Sequence, residues 1–259
     1  MSGPEPLPGG GLTPAERVGS TVHRATGPWT PAVHALLRHL EDVGFAAPRV
    51  IGIDEEAREV LTYVAGKAGV DPYPERLWDD EVLAQVGALI RRYHDATVGF
   101  VAPPGATWQS LVGAPQDGDV VCHNDLSPAN TIYTEQRPRT FVDWDLAAPG
   151  PRRWDLAYAT YRFVPLYPDD GCERLGIPLL PRAPRIRILC EAYGLEADGQ
   201  LLDLVEARIR SLYETARERG EAGEPGWTDV WRDTRGRQWL GSLAFVQRNR
   251  ASWEKDSQG

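Results

Sequence analysis

Lysine is almost missing from this sequence, since Lys67 and Lys255 are the only two among 28 basic residues. Acidic residues are in excess, and the net charge of −9 corresponds to a pI of about 5.1. Proteins that bind nucleic acid are typically basic, so nucleic acid is not an expected partner. No run of roughly eighteen apolar residues occurs, so a membrane span is not expected either.

Cysteine is scarce as well, and Cys122, Cys172 and Cys190 lie far apart in the sequence. An odd number of separated cysteines fits neither a disulfide framework nor a paired-cysteine zinc site. The first residues, MSGPEPLPGGG, lack the basic and apolar regions of a secretory signal. The predicted location is therefore a reducing cytoplasm.

The first part of the chain has the patterns of a small β/α region. Residues 1–14 are rich in proline and glycine and are predicted to be a flexible tail. An amphipathic helix is expected to begin near Thr30 and to end before Gly44, because apolar residues recur there at helical spacing. Before it, residues 18–24 are predicted to form two short strands around a Gly-Ser turn, and after it two strands are expected at 49–53 and 59–64.

After Gly66 the patterns become mainly helical. Helices are predicted from residue 79 onward and near 152–164, 182–193, 200–219 and 228–250, with short strands at 120–122, 131–133 and 140–142. The sequence thus predicts an α+β chain, with a small lobe over 15–65 and a larger, mainly helical lobe over 66–259.

The densest set of reactive side chains lies in residues 120–158, VVCHNDLSPANTIYTEQRPRTFVDWDLAAPGPRRWDLAY. Phosphoryl transfer to an alcohol needs a carboxylate beside the hydroxyl and hard oxygen ligands for Mg²⁺. A loop and a strand end across one cleft can supply them. Asp125 is then the base, while Asn130 and Asp143 hold the metal. The alternative is that Asn and Asp gather here only because turns favour them.

The spacing His123-x-Asp125-Leu126-x-x-x-Asn130, followed by Asp143, resembles the catalytic loop and metal-binding Asp of protein kinases. Trp144 and the WDLA segment at 154–157 are closer to the aminoglycoside phosphotransferase family and its small-molecule kinase relatives. The segments PAVHALLRHLEDVGF, REVLTYVAG and ALIRRYHDAT agree with that family. The resemblance covers residues 18–164 and implies a two-lobed protein-kinase-like fold.

The resemblance also implies roles for supporting residues. His123 supports the backbone of the loop, with a role as base as the alternative. Asp155 braces the loop through hydrogen bonds, and charge stabilisation of a helix N-terminus is its alternative role. If the strand continued beyond Asp143, Asp145 would share its face and could also approach the metal; a solvated or capping carboxylate is the alternative.

The small lobe departs from the family pattern. The resemblance implies a strand lysine that holds phosphates and a helix glutamate that pairs with it, but residues 1–66 contain no lysine. Arg24, at the end of the strand before the helix, is the predicted substitute, and a surface arginine is the alternative. Val33 or His34 falls where the helix glutamate would be. We therefore predict a shortened lobe with an incomplete strand set, in which Gly9–Gly11 belong to the tail rather than to a phosphate loop.

In this family the nucleotide base stacks in the cleft and bonds to the backbone of the linker, which corresponds here to the region of Tyr63 and Val64. Backbone recognition is insensitive to side chains, so both ATP and GTP stay open. Packing at a strand end is the alternative role for Tyr63.

Together these features predict a Mg²⁺-dependent O-phosphotransferase that moves the γ-phosphoryl group of ATP or GTP to a small-molecule hydroxyl. The acceptor is an aminoglycoside or another amino-bearing natural product if acidic residues of the C-terminal helices face it, which makes antibiotic resistance one expected role. Solvated helix faces are the alternative for those residues: Glu191, Glu196, Asp203, Glu206, Glu214, Glu218 and Asp229.

A nucleotide-binding pseudokinase that acts as a regulatory module is the alternative function. The missing lysine motivates it, and the joint presence of Asp125, Asn130 and Asp143 argues against it. The sequence leaves the oligomeric state open.

Overall fold

The computed structural model describes residues 4–7 and 14–257. Its N-terminal part is a five-stranded antiparallel sheet with the order β1-β2-β3-β5-β4. The strands are β1 (Glu5–Pro6), β2 (Ala15–Val18), β3 (Thr21–Ala25), β4 (Val50–Ile53) and β5 (Arg58–Thr62). A tight turn at Gly19, whose φ is +62°, connects β2 to β3.

Helix α1 (Thr30–Asp42) packs beside this sheet at the predicted place. Proline in its first turn has a preset φ and needs no N–H partner there. Its apolar stripe, which includes Leu36, Leu37 and Leu40, is fully buried. Gly44, with φ +77°, follows the helix end.

The strands of the small lobe are short, but their number is not reduced. The expectation of an incomplete strand set is wrong, because two residues in β1 and four in β2 suffice to complete the sheet. Part of the predicted tail is ordered, since Glu5 and Pro6 pair with β2 and Leu7 N donates to Ala15 O at 2.9 Å. Residues 1–3 and 8–13, including Gly9–Gly11, lie outside the described residues.

The remaining elements form a mainly helical lobe. They are β6 (Lys67–Ala68), α2 (Asp80–Thr97), β7 (Val120–Cys122), β8 (Thr131–Thr134), β9 (Arg137–Phe141), β10 (Ala148–Gly150), α3 (Arg152–Phe163), α4 (Asp169–Arg174), α5 (Arg182–Tyr193), α6 (Gly199–Glu221), α7 (Trp227–Thr234) and α8 (Arg237–Ser257). The short strands form two small sheets, β6-β8-β9 and β10-β7. The helix predicted over 228–250 is broken into α7 and α8, because Arg235 and Gly236 adopt left-handed backbone conformations.

One hydrophobic core runs through both lobes. It joins Leu36 and Leu61 of the small lobe to Leu83, Phe141 and Trp144 of the large lobe. Trp144 is completely buried, so this core anchors the segment that follows β9. The three cysteines are buried and unpaired. Among the described helices, none combines the length and apolarity needed to traverse a bilayer.

Candidate active site

The carboxylate of Asp155, in the first turn of α3, holds the loop between β7 and β8 through hydrogen bonds. Asp155 Oδ2 accepts a hydrogen bond from the backbone N–H of His123 at 2.7 Å, and Oδ1 accepts one from that of Asn124 at 2.9 Å. Burial raises the pKa of Asp155, but the hydrogen bond from His94 and the backbone donors outweigh burial and lower it. Asp155 therefore stays ionised and fixes the start of the loop, as the family resemblance implies.

His123 ties the loop to the chain just before Asp143. Its Nδ1 accepts from the backbone N–H of Asp125 at 3.3 Å, and its Nε2 donates to the carbonyl of Val142 at 3.1 Å. Burial lowers the pKa of His123, so the ring is neutral, with its proton on Nε2. Both imidazole nitrogens are thus hydrogen-bonded to the backbone, and neither is free to contact a substrate.

Both carboxylate oxygens of Asp125 accept hydrogen bonds from neighbouring side chains. Oδ1 accepts from the hydroxyl of Tyr158 at 2.7 Å, and Oδ2 accepts from Asn130 Nδ2 at 2.7 Å. Burial and the negative charge of Asp143 raise the pKa of Asp125. Each oxygen can accept more than one hydrogen bond, so the fixed carboxylate retains capacity for a substrate hydroxyl.

Asn130 and Asp143 are brought together at the end of β9. Val142 N donates to Asn130 O at 2.9 Å, which makes the two segments neighbours. The amide nitrogen of Asn130 is used by Asp125, which leaves its Oδ1 available, and Asp143 keeps Oδ2 because only Oδ1 accepts from Arg24. Both residues line the same cleft between the lobes.

Amide and carboxylate oxygens such as these two are the kind of ligand that a magnesium ion bound together with phosphates would take. Within residues 4–7 and 14–257 no cluster of three or more His, Cys, Asp or Glu side chains has the arrangement of a metal site. Mg²⁺ in phosphate-transferring sites needs only one or two protein carboxylates, because phosphate oxygens and water complete its octahedron. Asn130 and Asp143 could supply the protein ligands of that octahedron.

Arg24 lies at the floor of the cleft and is buried, which excludes the surface-arginine alternative. It stands directly across from Glu59 in the β3–β5 register, and its Nε donates to that carboxylate. Its Nη1 donates to Asp143 Oδ1 at 2.8 Å and its Nη2 to Asp145 Oδ1 at 2.5 Å. Arg24 therefore joins the small lobe to both carboxylates that follow β9.

Glu59, on β5, is the small-lobe carboxylate that pairs with Arg24, whereas the resemblance implies a glutamate on the helix. His34 Nε2, on α1, donates to Glu59 Oε2 at 2.9 Å. Burial raises the pKa of Glu59, but the hydrogen bond from His34 and the charge of Arg24 overcome it, so the pKa lies below its usual value. Sequence reasoning missed Glu59; the available signal was a charged residue next to the apolar pair Val60 and Leu61 in the strand segment REVLT.

The cluster around Arg24 carries surplus negative charge. Burial lowers the pKa of the guanidinium, but Asp143, Asp145 and Glu59 together hold it above the usual range. Burial raises the pKa of Asp145 to about 6, and the nearby Asp143 adds to the shift although Arg24 opposes it. Three carboxylates around one guanidinium leave a charge that a divalent cation would offset.

The cleft has a volume of about 200 Å³ and an uneven distribution of polarity. Tyr63 and Val64 form part of its wall. The rest of the wall is largely apolar: Leu7, Ala15, Val22, Leu61, Ala68, Ile132 and Val142. Arg24, Asn130 and Asp143 supply the polar end. A flat apolar ring and an attached phosphate chain would meet matching surfaces here.

Two further residues support Asp125 and were not predicted. Tyr158 follows Asp155 by nearly one helical turn, so it shares the face of α3 that meets the loop. Arg208, on α6, is fully buried, donates to the carbonyl of Asn124, and lies 4.4 Å from the ring centroid of Tyr158. The spacing in WDLAY was a usable signal for Tyr158, whereas nothing local marked Arg208.

Comparison with known proteins agrees with this geometry. A model described as the phosphotransferase enzyme family matches residues 106–183, which contain the loop and the segment after β9. The trifolitoxin immunity protein of Rhizobium leguminosarum bv. trifolii is 36% identical over 248 residues, covering 90% of this chain and 93% of that protein. The chain belongs to the phosphotransferase enzyme family.

Solved structures similar to this phosphotransferase-family protein have the same protein-kinase-like fold. A choline/ethanolamine kinase family protein from Mesorhizobium loti has a TM-score of 0.60 at 19% identity and covers 96% of this chain and 93% of its own. A microcompartment-associated aminopropanol kinase has a TM-score of 0.60 at 14% identity, with 97% and 93% covered. An aminoglycoside phosphotransferase from Streptomyces rimosus, in complex with ADP and streptomycin, has a TM-score of 0.54 at 15% identity, with 78% and 90% covered.

Proposed function

We propose that this phosphotransferase-family protein transfers the γ-phosphoryl group of ATP or GTP to a hydroxyl of a small molecule. The observation that carries the proposal is the convergence of Arg24, Asn130 and Asp143 at the polar end of one apolar cleft, with Asp125 hydrogen-bonded to Asn130. The relative crystallised with ADP and streptomycin and the relatives named as choline/ethanolamine and aminopropanol kinases support this class of reaction.

Each residue has a distinct task in this reaction. The base of the nucleotide occupies the apolar wall at Tyr63 and Val64, and Arg24 orients the phosphates from the floor. Asn130 and Asp143 would hold Mg²⁺, which when bound supplies positive charge against the phosphate oxygens. Asp125 orients the acceptor hydroxyl and takes its proton.

The bond changes balance within this set. The acceptor oxygen forms a new bond to the γ-phosphorus, and the bond from that phosphorus to the bridging oxygen breaks. The nucleoside diphosphate leaves, and the hydroxyl proton moves to Asp125. No further reactant is required.

The proposed role of the reaction is protection of a cytoplasm against a toxic natural product. The relative with 36% identity is named for immunity to trifolitoxin, and phosphorylation of a hydroxyl is a direct way to inactivate a small toxin. We therefore place the acceptor among hydroxylated natural products.

The function is tested by incubating the protein with Mg²⁺, γ-labelled ATP or GTP, and hydroxylated compounds that include amino acids, amino alcohols, aminoglycosides and short peptides. The expected product gains one phosphoryl unit in mass and carries the label, and omission of Mg²⁺ abolishes it. Tight nucleotide binding with no labelled product from any acceptor would contradict the proposal and favour the pseudokinase alternative.

Arg24→Gln is expected to weaken nucleotide binding about tenfold, because a charge-assisted contact to phosphate is lost. Isothermal titration with ADP and Mg²⁺ measures the change. Arg38→Gln is the matched control, since Arg38 is an exposed arginine on α1 of the same lobe. Equal affinity in wild type and Arg24→Gln, with both folded by circular dichroism, would remove Arg24 from the phosphate site.

A further inference from the structure

A cation, Arg162, lies near Asp125 but outside the lining of the nucleotide cleft. Arg162 follows Tyr158 by one turn of α3, and its Nη1 donates to the Tyr158 hydroxyl at 3.1 Å. The same hydroxyl donates to Asp125 Oδ1 at 2.7 Å. Arg24, Asn130 and Asp143 line the cleft, whereas Tyr158 and Arg162 do not. Two hydrogen bonds in series thus connect Arg162 to the base, and both Arg162 and Asp125 are partly exposed.

Arg162 has donors that the described part of the chain does not use. Its only hydrogen bond there is the one to Tyr158, and no carboxylate there lies within ion-pair distance of it. Its Nε is buried and has no acceptor. A buried donor without a protein partner is costly in free energy unless water or a ligand supplies an acceptor, so Arg162 has the capacity to bind a further acceptor group.

The groups around Arg162 are phenols rather than carboxylates. Burial raises the pKa values of Tyr161 and Tyr167, and the positive charge of Arg162 opposes that rise. The same charge acts on Tyr73, where burial and the exposed Asp71 raise the pKa. Neutral phenols provide ring surface and hydroxyls but do not cancel the charge of the guanidinium.

The acidic residues that were expected to attract a cationic acceptor are engaged elsewhere. Five of the seven form ion pairs with arginines of the C-terminal helices: Asp203 and Glu206 with Arg250, Glu214 and Glu218 with Arg217, and Asp229 with Arg232. The remaining two, Glu191 and Glu196, are exposed. The positive charges close to Asp125 come from arginines, Arg162 and the buried Arg208.

Building on the proposed phosphotransfer, we propose that the acceptor carries a carboxylate near its reactive hydroxyl and that Arg162 binds this carboxylate. The planar fork of a guanidinium matches the two oxygens of a carboxylate. The hydroxyl of Tyr158 lies between Arg162, which binds the carboxylate, and Asp125, which accepts the proton. An acceptor held by Arg162 therefore presents its hydroxyl at Asp125. The specificity is for hydroxy acids, including hydroxylated amino acids and peptides with a free carboxyl end, over amino alcohols.

Ligand-observed NMR on the protein without nucleotide tests this inference. The probes are matched compounds: serine, serinamide and ethanolamine, and homoserine with its amide. Wild type is expected to bind the carboxylates about tenfold more tightly than the amides, from the loss of a charge-assisted contact. Arg162→Gln should abolish that preference, and Arg162→Lys should keep part of it because the charge remains while the fork is lost.

Arg174→Gln is the matched control, because Arg174 is an exposed arginine that pairs only with the exposed Asp170. It should leave the preference unchanged. Tightest binding of ethanolamine, or equal binding of carboxylates by wild type and Arg162→Gln, including none by either, would overturn the inference. A melting temperature close to that of wild type shows that each variant is folded.

The outcomes separate the two proposals. Carboxylate binding through Arg162 with no transfer of label to any compound would leave the anion site intact and refute the phosphotransfer. Transfer of label to amino alcohols with no effect of Arg162→Gln would refute the anion site and leave the phosphotransfer intact.

Discussion

Asp125→Asn is expected to lower kcat by roughly 10²–10⁴-fold, the range typical for loss of a general base. The amide oxygen can still accept from Tyr158, so the side chain stays in place. The amide nitrogen cannot take a proton from the acceptor hydroxyl, and it faces Asn130 Nδ2 as donor against donor. Orientation of the hydroxyl survives in part, whereas proton acceptance does not.

Steady-state kinetics with labelled nucleotide measures this loss, and titration with ADP and Mg²⁺ provides the internal check. Nucleotide affinity should change little, because Arg24, Tyr63 and Val64 are untouched. Tyr158→Phe is the matched control: it removes one hydrogen bond to Asp125 but leaves the carboxylate. A fall in kcat for Tyr158→Phe as large as for Asp125→Asn would argue against Asp125 as the base.

Asp155→Asn is expected to reduce the free energy of unfolding by about 3 kcal/mol, because a fully buried carboxylate that accepts from two backbone N–H groups and from His94 loses its charge. Urea denaturation measures the difference. Asp170→Asn is the control, since that exposed carboxylate makes only an exposed ion pair with Arg174 and should change stability by under about 0.5 kcal/mol. Equal stability of wild type and Asp155→Asn would show that the brace does not hold the loop.

The difference in unfolding free energy between wild type and Asp155→Asn is expected to depend on pH. The pKa of Asp155 is lowered on folding, so its stabilisation is complete above the pKa of the unfolded state, near 3.9, and is lost as the pH falls through the folded value. The difference in unfolding free energy between wild type and Asp155→Asn should therefore be constant from about pH 7 to 5 and shrink below about pH 4. A difference that shrinks already near neutral pH would contradict this assignment.

The residues of the site that sequence alone could predict are those whose spacing is local. His123, Asp125 and Asn130 lie within one loop, and a loop of fixed length brings their side chains to one place. Arg24 was predictable from its place at the end of a strand. The pairing of Arg24 with Glu59, and that of Glu59 with His34, was not predictable, because the β3–β5 register and the packing of α1 decide which side chains meet.

Residues that act across long stretches of sequence carry no local pattern. Arg208 reaches Asn124 across 84 positions, and its burial depends on how α6 packs against α3. The same limit applies to short elements. Two- and three-residue strands such as β6 and β10 are too short for an alternating pattern, so their existence follows only from pairing with β8 and β7.

The guanidinium at the floor of the cleft has a practical consequence for detection. Reagents that mark nucleotide sites by acylating a primary amine need a lysine close to the phosphates. This chain has lysine only at positions 67 and 255, neither of which lines the cleft, so such reagents should leave the site unlabelled. Surveys that count kinases by amine capture would overlook this protein and any others in which arginine takes the same place, whereas dicarbonyl reagents directed at arginine would be the appropriate chemistry.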